Sequence, residues 1–171
     1  MKTTIRLKAV LFLVAACMFT GAAFAQTKPI ASPRDSVSAV VAGSTIVINY
    51  GSPSVKGRKI WDGLVPYKAV WRTGANEATR FTTTKAITVA GKRLPAGTYG
   101  FFAIPGEKTW TIIFNSVANQ WGAFKYDASK DVLRVTVTPK PATKHERLLY
   151  TIDANGFDLI WDELDVPVSI K

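Results

Sequence analysis

The feature that most constrains this chain is a two-residue period of β-branched and aromatic side chains, repeated in short runs along most of its length. Ile46, Ile48 and Tyr50 alternate with Val47 and Asn49, and Trp110, Ile112 and Phe114 with Thr111 and Ile113. Leu133, Val135 and Val137 alternate with Arg134, Thr136 and Thr138. The same period returns at Leu148, Tyr150 and Ile152, at Phe157, Leu159 and Trp161, and at Val166, Val168 and Ile170. A period of two carried by β-branched and aromatic side chains marks half-buried strands. Turn residues punctuate the runs at Ala90-Gly91, Pro95-Ala96-Gly97, Pro105-Gly106-Glu107 and Ala154-Asn155-Gly156.

These signals predict about nine strands, near 37–42, 44–50, 80–84, 86–90, 98–104, 109–114, 132–138, 146–153 and 157–170. The last is one bent strand or two. No long helical period separates them, so the expected fold is all-β: an antiparallel β-sandwich, jelly-roll-like, with one long ordered loop. A short helix or irregular loop is expected around 116–126, and Phe101, Phe102, Trp110, Trp121 and Trp161 are expected in the core. No internal repeat appears.

The amino terminus has a different character. Met1 to Lys8 carries Lys2, Arg6 and Lys8 with no acid, Ala9 to Phe24 is almost wholly apolar, and Ala23-Phe24-Ala25 has the small-x-small form of a cleavage site. The apolar run falls short of the roughly 20 residues that span a bilayer. Residues 1–25 therefore read as a cleaved signal peptide, leaving 26–171 as a single domain without a transmembrane segment, periplasmic or secreted. A lipoprotein anchored through Cys17 is the weaker reading, because Met18 to Ala25 stays apolar where a polar tether would begin. Cleavage removes the only Cys, so the domain depends on its core rather than on disulfides.

Between Gly51 and Thr79 the alternation stops. This stretch, GSPSVKGRKIWDGLVPYKAVWRTGANEAT, is too long for an ordinary connection and too rich in Ile60, Trp61, Leu64, Tyr67, Val70 and Trp71 to be disordered. Its Ser, Thr, Asn and Gly residues suit a loop that hydrogen-bonds its own backbone.

Several segments of the chain resemble one bacterial exported family. They are Asn49 to Arg58, Trp71 to Thr79, Leu94 to Tyr99, Trp110 to Asn115, Gln120-Trp121-Gly122 and Lys130 to Val135. The family is that of domain of unknown function 2911, and the resemblance spans about residues 32–170. It implies an exported β-rich domain in a Gram-negative-type envelope, and it brings no catalytic residues with it.

Most familiar chemistries fail on the residues themselves. Gly51 to Lys59 does not match a phosphate loop, since its glycines are spaced one residue too far apart and Arg58-Lys59 follows. His145, the only His, sits beside Lys144 and Glu146 with no G-x-S-x-G elbow to serve. No metal site and no cofactor are assigned; the acidic group Asp158, Asp162, Glu163 and Asp165 reads as a solvated edge, with alternation placing Asp158 and Asp162 on one face. Nucleic acid is excluded as a partner by the export signal and by the lack of any recognition motif.

Charge points back to the irregular stretch. The chain is formally +10, with Lys+Arg 22 against Asp+Glu 12. Residues 56–93 hold nine bases and two acids, whereas 146–171 hold two bases and six acids. Arginine offers a planar fork for carboxylate, phosphate or sulfate, and aromatic faces suit sugar rings. The first reading is thus a non-enzymatic binding module for an anionic or sugar-like ligand, using the 51–80 loop with Arg58, Trp61, Trp71, Arg72, Asn76 and Glu77 as contacts. A second is a small hydrolase using Glu77 and Asp62 as a carboxylate pair, which requires a defined separation. A third is a structural or interaction domain whose loop is self-paired, with Glu77 tied to Arg72, Arg58 or Arg80. Nothing in the sequence sets the oligomeric state.

Overall fold

The computed structural model describes residues 30–171, so the signal peptide expected at 1–25, Cys17 and Gln26 to Pro29 lie outside the described residues. The chain forms an all-β sandwich. Its larger layer is a six-stranded antiparallel sheet. In sheet order these strands are β1 (Arg34–Val41), β2 (Ser44–Gly51), β3 (Thr79–Thr83), β6 (Gly97–Ile104), β7 (Trp110–Asn115) and β8 (Asp131–Val137). The hairpin of β4 (Ile87–Val89) and β5 (Lys92–Leu94) leaves the sheet between β3 and β6, so every other neighbour in the sheet is also the neighbour in sequence. Hairpins close where the backbone can turn left-handed: Ala42 and Gly43 join β1 to β2 with φ of 49° and 72°, and Ala90 and Gly91 join β4 to β5 with 44° and 83°.

The second layer is a long ribbon of β9 (Lys140–Asp153) and β10 (Gly156–Ser169), 14 residues each. The β4–β5 hairpin joins its far end. Thr88 N–H donates to Lys171 O at 2.7 Å, and Lys171 N–H donates back at 2.9 Å. Between the layers lies one continuous core. Ile46 and Ile48 from β2, Phe81 from β3, Phe101 from β6 and Phe114 from β7 meet Leu148, Tyr150, Phe157 and Leu159 from the ribbon. Phe114 and Phe157 each lie 5.0–5.5 Å, centroid to centroid, from the Phe81 and Phe101 rings, a spacing that favours edge-to-face and tilted contacts.

The sheet's outer face is not bare. Phe102 and Ile113, pointing opposite to Phe101 and Ile112, form a small second cluster with Ala78. The irregular segment expected after β7 covers it, placing Ala123 and Tyr126 on top and ending in a 3-10 turn at Ala128–Lys130. Tyr126 donates its hydroxyl to Asp131 Oδ2 at 2.5 Å, an oxygen that also accepts from Arg134 Nε at 2.6 Å. Burial, followed by the bond to Asp131, pushes the Tyr126 phenol up to about 12.

Strand β10 is bent rather than split. Its inward residues are odd-numbered at Phe157, Leu159 and Trp161, then even-numbered at Val166 and Val168, a parity that buried Ile170 continues just past its end. Register shifts against β9 lie between Ile160 and Asp162 and between Asp162 and Leu164, with Asp162 left-handed at φ 53°. An irregularity of this kind reverses which parity faces the core. It also interrupts the simple alternation expected to align Asp158 with Asp162. The acid that bears most on Asp158 is instead Asp165, and among the described residues no group of three or more His, Cys, Asp or Glu is placed to hold a metal.

Burial raises the Asp158 carboxyl above its ordinary value, with Asp165 and Asp153 adding to the shift and Thr151 and Lys140 opposing it. A carboxyl raised on folding favours the native state only while protonated, so its contribution is lost as pH rises through the folded value. Asp158→Asn is therefore expected to stabilise the protein at pH 7 by about 0.3–0.5 kcal/mol, the site being half solvated. That gain should vanish on acidification below the ordinary carboxylate range. Urea midpoints of both proteins at pH 7 and pH 3 check this, and a gain that persists at pH 3 would contradict it.

Candidate functional site

The stretch from Gly51 to Thr79 is ordered by bonds to both layers. Val55 N–H donates to Glu146 O at 2.7 Å and Leu148 N–H to Pro53 O at 2.9 Å, which lays residues 53–55 against β9. Trp71 exchanges backbone bonds of 2.8 and 2.9 Å with Ala103 on β6. It thereby takes the place beside β6 that β3 occupies up to the Thr79–Phe101 pair. Residues 72–78 leave and return at that edge, closed by Thr79 N–H on Arg72 O at 3.3 Å.

Inside this small loop the polar groups are consumed. The Thr73 carbonyl accepts from the buried Tyr150 hydroxyl at 2.8 Å and from Thr79 Oγ1 at 3.0 Å, while Thr73 Oγ1 donates to Phe101 O at 2.9 Å. Gly51 packs directly on it, and a Cβ there would lie 2.1 Å from Ala75 O. Only glycine permits that approach. Thr73 and Asn76 both hold left-handed φ, 53° and 63°.

Four of the five tryptophans gather beside this loop. Trp61 lies 5.8, 5.0 and 5.9 Å from Trp71, Trp110 and Trp161, and Trp71 stacks on Trp161 at 6.1 Å with 17° between planes. Trp71 and Trp161 form part of the wall of a cleft of about 300 Å³. Arg58, Arg72 and Asn76 also line it, as do Leu64 and Val65, and none of the described acidic residues does. Of the sequence-predicted contacts, Arg58, Trp71, Arg72 and Asn76 therefore share one cleft, with Trp61 packed behind Trp71.

The arginines differ. Arg58 spends its guanidinium on the backbone, donating from Nε to Val55 O at 3.0 Å and from Nη2 to Ser54 O at 2.5 Å. Arg72 has a buried Nε with no hydrogen-bond partner among the described residues, and burial lowers its pKa with no carboxylate to oppose the shift. The buried Trp161 Nε1 is a second unpartnered donor on a residue of the same cleft. Buried donors are ordinarily satisfied, and an unsatisfied one costs about 1–3 kcal/mol. Asn76 lines the cleft with its Nδ2 already engaged, donating to Ser32 O at 3.2 Å.

Glu77 and Asp62 do not join them. Glu77, next to Asn76 in the chain, lines a different cleft and lies 3.7 Å from Arg34, the first residue of β1. Asp62 lines a third, beside Tyr67 and Lys68, and lies 3.9 Å from Lys59. None of the three bases expected for Glu77 pairs with it among the described residues. Trp161 was legible only as core, and nothing in its strand pattern signals that it also faces the cleft. Trp121, expected in the core, is 61% exposed.

A family model described as "Protein of unknown function (DUF2911)" matches residues 32–170. No curated protein and no solved structure matches the chain.

If Arg72 is held at a cost, removing its charge should not weaken the fold. Arg72→Met is expected to leave the urea midpoint unchanged or to raise stability by up to about 1 kcal/mol. Arg58→Met, which loses two bonds to carbonyls, should cost about 1 kcal/mol. A loss greater than that on Arg72→Met would show that Arg72 serves the fold instead.

Proposed function

The chain belongs to this family of unknown function, and within it we propose an exported binding module whose Arg72 cleft takes an anionic, sugar-like ligand. The ligand carries a carboxylate, phosphate or sulfate on a ring. The observation that carries this reading is the partly desolvated Arg72 guanidinium, its Nε without a hydrogen-bond partner among the described residues, in a cleft that none of the described acids lines.

The geometry suits that chemistry at each point. A cleft of about 300 Å³ is at the small end of ligand sites and admits roughly one ring with its substituents. The Arg72 guanidinium donates and does not accept, so the complementary group is rich in acceptors. An anion there gains charge-assisted hydrogen bonds in surroundings of reduced polarity, where each is worth more than in water. Trp71 supplies an apolar wall for the ring, and Leu64 and Val65 continue it. The two-carboxylate alternative lacks this support, because no cleft among those described is lined by both Asp62 and Glu77.

Export rests on the sequence of residues 1–25, with its basic start, apolar run and Ala23-Phe24-Ala25 terminus. N-terminal sequencing of protein recovered from the periplasmic fraction or the medium should read from Gln26. Recovery in the cytoplasm with Met1 to Ala25 intact would refute it.

A ligand that binds only the folded state raises its melting point. Phosphate, sulfate, galacturonate and glucose 6-phosphate are the probes. At a hundredfold excess over Kd, a binder should add about 2.7 kcal/mol, or roughly 5–10 °C in a chain of this size. Arg72→Met should abolish the shift. If none of the four anions shifts the melting point at millimolar concentration, the loop is a self-packed closure of the sandwich and the binding reading fails.

A further inference from the structure

A second cleft, of about 410 Å³, opens on the other side of the same loop, and its chemistry differs from the first. Arg34, Glu77, Arg80, Asn119, Gln120 and Trp121 line it. We propose that it is a saccharide-binding site, with Trp121 as the platform for a sugar face and with Glu77, Gln120 and the two arginines addressing its hydroxyls.

The platform is held in place by backbone, not by side-chain packing. Ala78 N–H donates to Gln120 O at 2.9 Å and Gly122 N–H to Asn76 O at 3.0 Å, so Glu77 and Trp121 face each other across a two-residue ladder. An indole fixed in this way yet left 61% exposed forgoes the burial that normally stabilises it. The C–H face of a pyranose is an apolar surface of matching size, and an aromatic face with a polar rim is suited to it.

The polar groups around the indole offer both signs of hydrogen bond. Arg34 donates to Asn49 Oδ1, to Asn49 O at 3.2 Å and to Glu77 O at 3.4 Å, and Arg80 donates to Asn119 Oδ1 at 3.3 Å and to Asn49 Oδ1 at 3.5 Å. These bonds hold two guanidinium groups at the cleft with donor capacity to spare. On the acceptor side, the Glu77 carboxylate is 53% exposed, and Gln120 Oε1 is buried with no donor while its Nε2 is spent on Val117 O at 3.1 Å. Hydroxyl groups both donate and accept, which satisfies this mixture. A simple anion would engage the two arginines only and would leave the acceptors, Glu77 and Gln120 Oε1, unused. The Arg72 cleft offers unpartnered donors and no carboxylate, so the two sites select different ligands. Asn76 and Glu77, adjacent in the chain, face one each.

The test is isothermal titration with tetrasaccharides of glucose, galactose, mannose and N-acetylglucosamine, each to 10 mM, with tryptophan fluorescence followed in parallel. At least one should bind saturably and perturb the emission. Sorbitol, which has hydroxyls but no ring face, should not. Trp121→Ala should weaken binding by at least about tenfold, a loss of 1.4 kcal/mol or more. Trp121→Phe should retain part of the affinity and Glu77→Gln should lower it, while Phe124→Ala, at an exposed aromatic outside the cleft, and Arg72→Met should leave it unchanged. Saturable binding unaffected by Trp121→Ala would overturn the proposal, as would no binding by any of the four. So would a Trp121-dependent dimer that is indifferent to sugar, which would assign the surface to self-association.

Discussion

The interlock of Trp61, Trp71, Trp110 and Trp161 is the contact on which the rest of this structure depends. Trp110 belongs to the large sheet, Trp161 to the ribbon, and Trp61 and Trp71 to the long loop, so a single aromatic cluster joins all three parts of the fold. Each edge-to-face or stacked pair adds about 0.5–1.5 kcal/mol beyond the area it buries. The loop has no continuous strand ladder of its own and could not hold its course without such an anchor. Because the cluster sits at the end of the core, two of its indoles also serve as cleft wall.

The loop between Trp71 and Thr79 is rigid for a second reason. Its backbone carbonyls are claimed by side chains from elsewhere, the Tyr150 hydroxyl above all, and Gly51 closes against it with no room for a Cβ. With its interior settled, the outward side chains are free to differ. Asn76 lines one cleft and Glu77 the other, while Arg72 Nε has no partner among the described residues. An unsatisfied guanidinium nitrogen on a rigid frame is an arrangement that a fold alone would not favour.

Much of the fold was legible because strands announce themselves locally. The alternation at Ile46, Ile48 and Tyr50 marks which residues of β2 face inward, and the change of parity between Trp161 and Val166 already contains the bend in β10. The three-residue strand Lys92–Leu94 was missed, being too short to display a period. The loop that breaks the pattern groups Arg58, Trp61, Trp71, Arg72, Asn76 and Glu77; four of these line one cleft, whereas Trp61 does not line it and Glu77 lines another. Glu77 was assigned partners near it in sequence, whereas its partner Arg34 lies 43 residues away on the first strand. Trp121 was assigned to the core because composition cannot tell a buried indole from one pinned outward by backbone bonds on either side.

The sequence by itself determined the class of fold, the run of strands, the position of the one irregular segment and the local excess of positive charge. All of these follow from the order of residues within a few positions of each other. The tertiary structure alone decided which charges meet. It separated Asp62 from Glu77, paired Glu77 with Arg34, left Arg72 without a carboxylate among the described residues and brought Trp161 to the same cleft. Those outcomes depend on strand order and on two layers packing at about 10 Å. Such long-range geometry places residues far apart in the chain side by side, and no local pattern records it.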